Sequence, residues 1–205
     1  RHAEPGEMQV HTILAAIAAA GADAIIVQDV GIAQVARRVA PNLAIHGSTQ
    51  MSITSADAEA MIEASKRAGK LLGVNQHMRF DGTSLAMRDA AASGAFGKVY
   101  LTDVRMIRPN GIPGYGSWFT NKDLAGAGAL FDIGVHMLDL AMFIKGFPEV
   151  KAVKGFLSSA LGDLKLGLGG WGIDRGAQGR FDVDDTAMAM LTLADGSLIR
   201  LIVTW

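Results

Sequence analysis

Asp132, His136 and Asp139 are the residues of this sequence whose types and spacing best suit chemistry. They lie in GAGALFDIGVHMLD, an apolar run that reads as a helix. A spacing of four puts Asp132 and His136 on one face, with Asp139 near it. A carboxylate and an imidazole on so apolar a helix must be paired or open to a cleft, because burying either alone is costly. A neutral imidazole beside a carboxylate can take the proton of a substrate hydroxyl, and Asp139 is placed to contact the same substrate. The plainer alternative is a structural Asp–His contact that fixes the helix to a sheet. Gly126 and Gly128, just before the helix, let backbone amides approach a polar ligand at its N-terminus.

Other groups carry less. Gly167, Gly169 and Gly172 spell G-x-G-x-x-G. That pattern cradles a dinucleotide only after a buried strand and at the start of a helix. Neither flank fits here, so a flexible loop near a substrate cleft is the expectation. His46, Ser48 and Thr49 follow one predicted strand, and His77 and Arg79 follow another, at the ligand-facing edge of an α/β sheet. His77 is a candidate cofactor contact and Arg79 a candidate substrate contact, with ordinary loop polarity as the alternative. Trp118 and Tyr115 can stack on a sugar ring or simply pack; Trp118 is the candidate for substrate. Asp182, Asp184 and Asp185 resemble a metal cluster by count. Neighbouring acids at a strand start point to alternate faces, so a solvated edge is expected and no metal site. Met137 and Met142 read as core fillers.

The elements that must position these residues follow from pattern. EMQVHTILAAIAAAG reads as a helix ended by Gly21, DAIIVQD as a buried strand, and GIAQVARRVAP as a helix stopped by Pro41. NLAIHGS, TSADAEAMIEASKRAG and KLLGVNQ continue as strand, helix and strand. Such alternation predicts parallel strands joined by right-handed crossovers, an open α/β layer. The second half reads as a helix (TSLAMRDAAASGAFG), a long strand (KVYLTDVRMIRP), a loop over 109–127, the apolar helix 128–146 and a strand (PEVKAVKGFLSS). Two last strands flank Ala194-Asp195-Gly196, a hairpin signal. The expected fold is α/β plus α+β. A parallel layer over residues 1–80 precedes an antiparallel-sheet domain with a packed helix over 81–205, the boundary falling near 76–82.

Composition sets outer limits. The 205 residues allow one large domain or two small ones. Nineteen basic residues against twenty acidic ones give a net charge of -1, which offers nothing to a nucleic acid. The absence of cysteine excludes a disulfide scaffold, a thiolate metal site and a cysteine nucleophile. The apolar stretch 13–27 is too short to span a bilayer, and no basic segment precedes it as in a signal peptide. A soluble, cytoplasmic protein is expected. With no initiator Met and an apolar strand-like run, SLIRLIVTW, at its close, the chain reads as truncated at both ends.

From about residue 55 onward the chain resembles the Gfo/Idh/MocA oxidoreductase family of glucose–fructose oxidoreductase and inositol dehydrogenase. The resemblance rests on SADAEAMIEASKRAGKLLGVNQHMRF, GAFGKVYLTDVR, GSWFTNKDLAGAGALFDIGVHMLDLAMFIKG and FDVDDTAMAMLTLADGSLIRLIVTW. It implies a Rossmann-like NAD(P)-binding layer, a sheet domain that binds substrate and forms homo-oligomers, and hydride transfer at a sugar or cyclitol hydroxyl carbon. It also implies catalytic roles for Asp132 and His136. Two family features are missing: the amino-terminal glycine-rich fingerprint, and the lysine of a Glu-Lys-Pro motif, whose place is taken by Ser48, Thr49 and Gln50. An inactive or impaired oxidoreductase is therefore expected, with NAD(P) as the family's cofactor. Residues 21–54, with their Q-D-x-G and H-x-S-T-Q-M, resemble the collagenase-like peptidase family instead, so the chain reads as a hybrid joined at Met51–Ala56. A non-catalytic binding or oligomerisation module and a peptidase relative are the competing readings.

Overall fold

The computed structural model describes residues 5–22, 24–27, 30–47, 55–69, 72–170 and 179–205; of 5–10, 24–27, 30–34, 44–47 and 55–58 it describes the backbone. The chain divides into two compact units, residues 1–75 and 76–205.

The first unit runs α1 (Pro5–Ala19), β1 (Ala24–Val27), α2 (Val30–Val39), β2 (Ala44–Gly47) and α3 (Ser55–Ala68). Gly21 ends α1 in the left-handed conformation, φ +76°, that only glycine adopts freely. Arg37, in the last turn of α2, closes that helix by donating to the carbonyls of Pro41 (2.6 Å) and Leu43 (3.2 Å). β1 and β2 pair in parallel, Ala24 opposite Ala44 through Val27 opposite Gly47, as strands joined by a helix must. The strand expected over KLLGVNQ does not form across residues 72–76, where Val74 makes a lone bridge and stands 65% exposed. An apolar run without burial has nothing to hold it in a sheet. The junction residues 51–54 lie outside the described residues.

The second unit opens with a 3-10 turn (His77–Phe80) and α4 (Gly82–Ala92), whose N-cap Asp81 accepts from Thr83 N at 3.1 Å. Then follow β3 (Leu101–Ile107), a 3-10 turn (Trp118–Thr120) and α5 (Lys122–Ala125). A π turn (Leu130–Gly134) leads into α6 (Val135–Ile144). β4 (Val150–Ser158), α7 (Ala160–Asp163), β5 (Thr186–Leu193) and β6 (Leu198–Thr204) complete it. The sheet order is β3-β6-β5-β4. β4, β5 and β6 are antiparallel, as expected, but β6 pairs with β3 in parallel, Leu101 opposite Leu198 through Ile107 opposite Thr204. The sheet is thus mixed. β3 and β4 are joined across one face by the helix, so they run the same way, and two reversals bring β6 back parallel to β3.

That face holds the core. Ile133, Met137 and Ala141, one row of the helical run, pack with Leu191, Ile199, Leu201, Val203 and Trp205, all 4% exposed or less. By length and composition alone Lys122–Ile144 could cross a membrane. Here Gly126, at φ +76°, interrupts the run, and its apolar row covers the sheet. The 109–127 loop is also packed: Ile112, Tyr115 and Thr120 are buried, and Thr120 Oγ1 accepts from Gly116 N and donates to Arg180 O. The opposite sheet face is open, with Phe156 65% and Met188 46% exposed.

Candidate functional site

The π turn and α6 place Asp132, His136 and Asp139 along one side of the second unit. A π turn inside a helix is uncommon and recurs at functional sites. Gly134 sits in it because a side chain there would crowd Leu130 (3.1 Å) and Val203 (3.4 Å). The expected Asp132–His136 contact is replaced by separate partners. Trp205 Nε1 donates to Asp132 Oδ2 at 2.8 Å, from a wholly buried ring. Gln76 Oε1 lies 3.0 Å from His136 Nδ1. An amide oxygen only accepts, so this contact suits a ring that carries its proton on Nδ1, which in the neutral form leaves the lone pair on Nε2.

Burial pushes the Asp132 carboxyl above the usual carboxylate range, against the pull of the Trp205 N–H, Arg108 and His136. Burial pushes His136 below the ordinary histidine range, helped by His77 and then Arg108 and opposed by Asp132 and Asp139. The His77 ring meets that of His136 edge-on, centroids 5.6 Å apart. The outcome is a half-buried imidazole that resists protonation, with a carboxylate in electrostatic reach.

Arg79 and Asp139, both expected at substrate, grip each other. Arg79 Nε donates to Asp139 Oδ2 at 2.7 Å and Nη2 donates to Oδ1, a bidentate pair. The guanidinium also lies over Phe147 (5.0 Å) and Phe143 (5.8 Å). Trp118 stacks on its neighbour Phe119, centroids 3.7 Å apart. Tyr115 packs rather than offering its ring: it is 4% exposed and its hydroxyl donates to Leu166 O at 2.6 Å. Side chain His46 and residues 48–50 lie outside the described residues.

Two expectations are corrected. The amides freed by Gly128 do not await a ligand, since Gly128 N and Leu130 N both donate to the Asp184 carboxylate at 2.8 Å. Asp184 and Asp185 are buried rather than solvated, Asp185 Oδ2 accepting from Gly162 N at 2.9 Å; Asp182 stays at the surface, paired with Arg180. Among the described residues no group of His, Asp and Glu is placed to hold a metal. The 167–172 loop is tied down where it is described: Gly167 O accepts from Gly111 N and Ile112 N, and Gly169 N donates to Ile112 O. Gln76, Arg108 and Trp205 escaped the sequence reading. Trp205 lies 73 residues from Asp132, and no local pattern announces such a partner.

Residues 84–205 match the GFO/IDH/MocA C-terminal domain, a span that begins later than the resemblance expected from residue 55. Residues 5–68 match Peptidase family U32 and contain the peptidase-like stretch 21–54. The chain is similar to the D-glucoside 3-dehydrogenase of Escherichia coli (strain K12), 40% identical over 114 residues, 56% of this chain and 32% of that enzyme. It is also similar to a solved NAD-binding protein from Listeria innocua, with 26% identity and a TM-score of 0.68 over 89% of this chain and 48% of that one. The aldose-aldose oxidoreductase of Caulobacter crescentus, complexed with glycerol, gives 26% identity and a TM-score of 0.66 over 85% and 46%. The chain therefore spans about a third of the first relative's length and under half of each structure.

Proposed function

The chain belongs to the GFO/IDH/MocA family, and we propose that its second unit is the substrate-facing part of a sugar or cyclitol oxidoreductase in which His136 takes the proton of a substrate hydroxyl. The observation that carries this reading is the setting of His136: half-buried, disfavoured as a cation, and with Nδ1 3.0 Å from the Gln76 side-chain oxygen. An imidazole disfavoured as a cation is neutral at pH 7 and so is free to act as the proton acceptor. Asp132 and Asp139 then stand near the imidazolium that forms. Asp132 Oδ1 is left to accept from a neighbouring hydroxyl, since Oδ2 is taken by Trp205. The Arg79–Asp139 pair ties the 3-10 turn to α6.

In this class of chemistry a bound nicotinamide dinucleotide would accept the hydride that leaves the hydroxyl carbon as His136 takes the hydroxyl proton, and the name of the Listeria innocua relative includes NAD binding. Among the described residues no cradle for it is formed. The one G-x-G-x-x-G follows the four-residue α7 rather than a strand, and peptide groups of Gly167 and Gly169 already bond residues 111–112. The role of His77 as a cofactor contact lacks support beyond its place beside His136. These 205 residues by themselves are therefore impaired as a dehydrogenase.

The open sheet face supports a second reading, that a further copy of the chain packs there. Phe156, Met188 and Met190 lie exposed beside Asp103, which pairs with Arg105 and Arg200. A face carrying apolar groups and both charge signs suits a two-fold contact with itself.

Calorimetric titration with myo-inositol and methyl glucoside tests the site. Saturable binding is expected, weakened about tenfold by Asp132→Asn. Binding that neither this variant nor His136→Ala alters would overturn the assignment. Titrating NADH and following its fluorescence is expected to show no saturation at low micromolar cofactor; tight saturation would refute the missing cradle.

A further inference from the structure

We propose that Gln76 is a positioning residue that holds His136 as the Nδ1–H tautomer and so leaves Nε2 as the proton-accepting nitrogen. The consequence for catalysis rests on the reading of His136 as the base, but the tautomer itself does not.

The geometry is a matched ladder. Gln76 caps the 3-10 turn that holds Arg79 three residues later, and His136 and Asp139 are three apart on α6. Residues i and i+3 stack on a 3-10 turn and neighbour one another on an α-helix. Gln76 therefore meets His136 (3.0 Å) while Arg79 meets Asp139 through two hydrogen bonds. The backbone closes the turn between them, Arg79 N donating to Gln76 O at 3.1 Å. The charged pair sets the distance between turn and helix, and the neutral pair sets the ring.

The neutrality of Gln76 matters. A carboxylate there would select the same tautomer but stabilise the imidazolium. The groups facing His136 act in both directions, Asp132 and Asp139 on its own helical run favouring the imidazolium, and His77 from the turn and Arg108 from the end of β3 opposing it. An amide oxygen orients the ring without adding a charge to either side. It also accepts the Nδ1–H both before and after Nε2 gains a proton, so the contact keeps its geometry during proton transfer.

Two-bond nitrogen–proton NMR correlation on the full chain labelled with nitrogen-15 tests this directly. The sequence has five histidines, and the pattern lost in His136→Asn identifies the one concerned. The wild-type ring is expected as Nδ1–H with a bare Nε2; finding Nε2–H overturns the proposal. In Gln76→Leu the ring is expected to redistribute toward Nε2–H, with the Trp205 indole signal unchanged as evidence of an intact fold. Retained Nδ1–H in that variant also overturns it. Gln76→Glu, which keeps the acceptor, is expected to keep Nδ1–H and raise the His136 titration midpoint by about one to three units; a shift to Nε2–H or an unmoved midpoint counts against the contact. A wild-type chain that binds no sugar while its His136 is Nδ1–H would remove the base assignment and leave the tautomer result standing.

Discussion

His136 ionises less readily in the folded chain than in the unfolded one, because burial and the neighbouring His77 and Arg108 oppose its charge. The unfolded state therefore binds more protons between the depressed folded value and the ordinary 6.5. Stability from this group is complete above about pH 6.5 and is lost as pH falls below it. Urea midpoints at pH 7.5 and pH 5.5 are expected to differ less in His136→Gln than in the wild type. An equal difference in both would mean that burial does not disfavour the imidazolium. Asp132 works in the other sense: its raised value makes the folded state hold a proton longer, so its contribution falls as pH rises through that range. Spacing alone brought out Asp132, His136 and Asp139. It could not assign their partners, because Gln76, Arg79 and Trp205 reach them across 60, 60 and 73 residues of chain.

At the scale of elements, α6 is held at both ends of its chemistry. Asp184 caps the start of the helical run through two charge-assisted bonds to Gly128 N and Leu130 N. Asp184→Ala is expected to cost about 2–4 kcal/mol in chemical denaturation, since one buried and one half-buried amide lose their acceptor. Gly128→Ala should cost about 3 kcal/mol or more, because its Cβ would fall 1.9 Å from Asp184 O and 2.8 Å from Val183 Cγ2. Arg79→Leu removes one partner of a bidentate pair whose arginine is 34% exposed, so a smaller loss of about 1–3 kcal/mol is expected. Gly126 and Gly128 were visible in the sequence, but as openings for a ligand. The acid that fills the opening at Gly128 sits 56 residues from it and 54 from Leu130, in a triplet that looked like a solvated edge. The π turn left no trace in the pattern either, since its apolar residues suit an ordinary helix equally well.

At the scale of the whole molecule, helices and hairpin were legible because their periodicity and turn residues are local. The parallel pairing of β3 with β6 was not, because it depends on how many times the chain reverses between them. KLLGVNQ looked like a strand only because it is apolar. The open sheet face carries the largest remaining prediction. Sedimentation is expected to show self-association at micromolar concentration that Met188→Lys, at the centre of that face, abolishes; a wild-type chain that stays monomeric at high micromolar concentration would contradict it. The central claim, a sugar site built on Asp132 and His136, has a more direct test. The His136 ring and the Trp205 indole N–H, which is bonded to Asp132, should shift together and saturate as myo-inositol or methyl glucoside is added. Signals that stay fixed up to the highest sugar concentration would contradict the account.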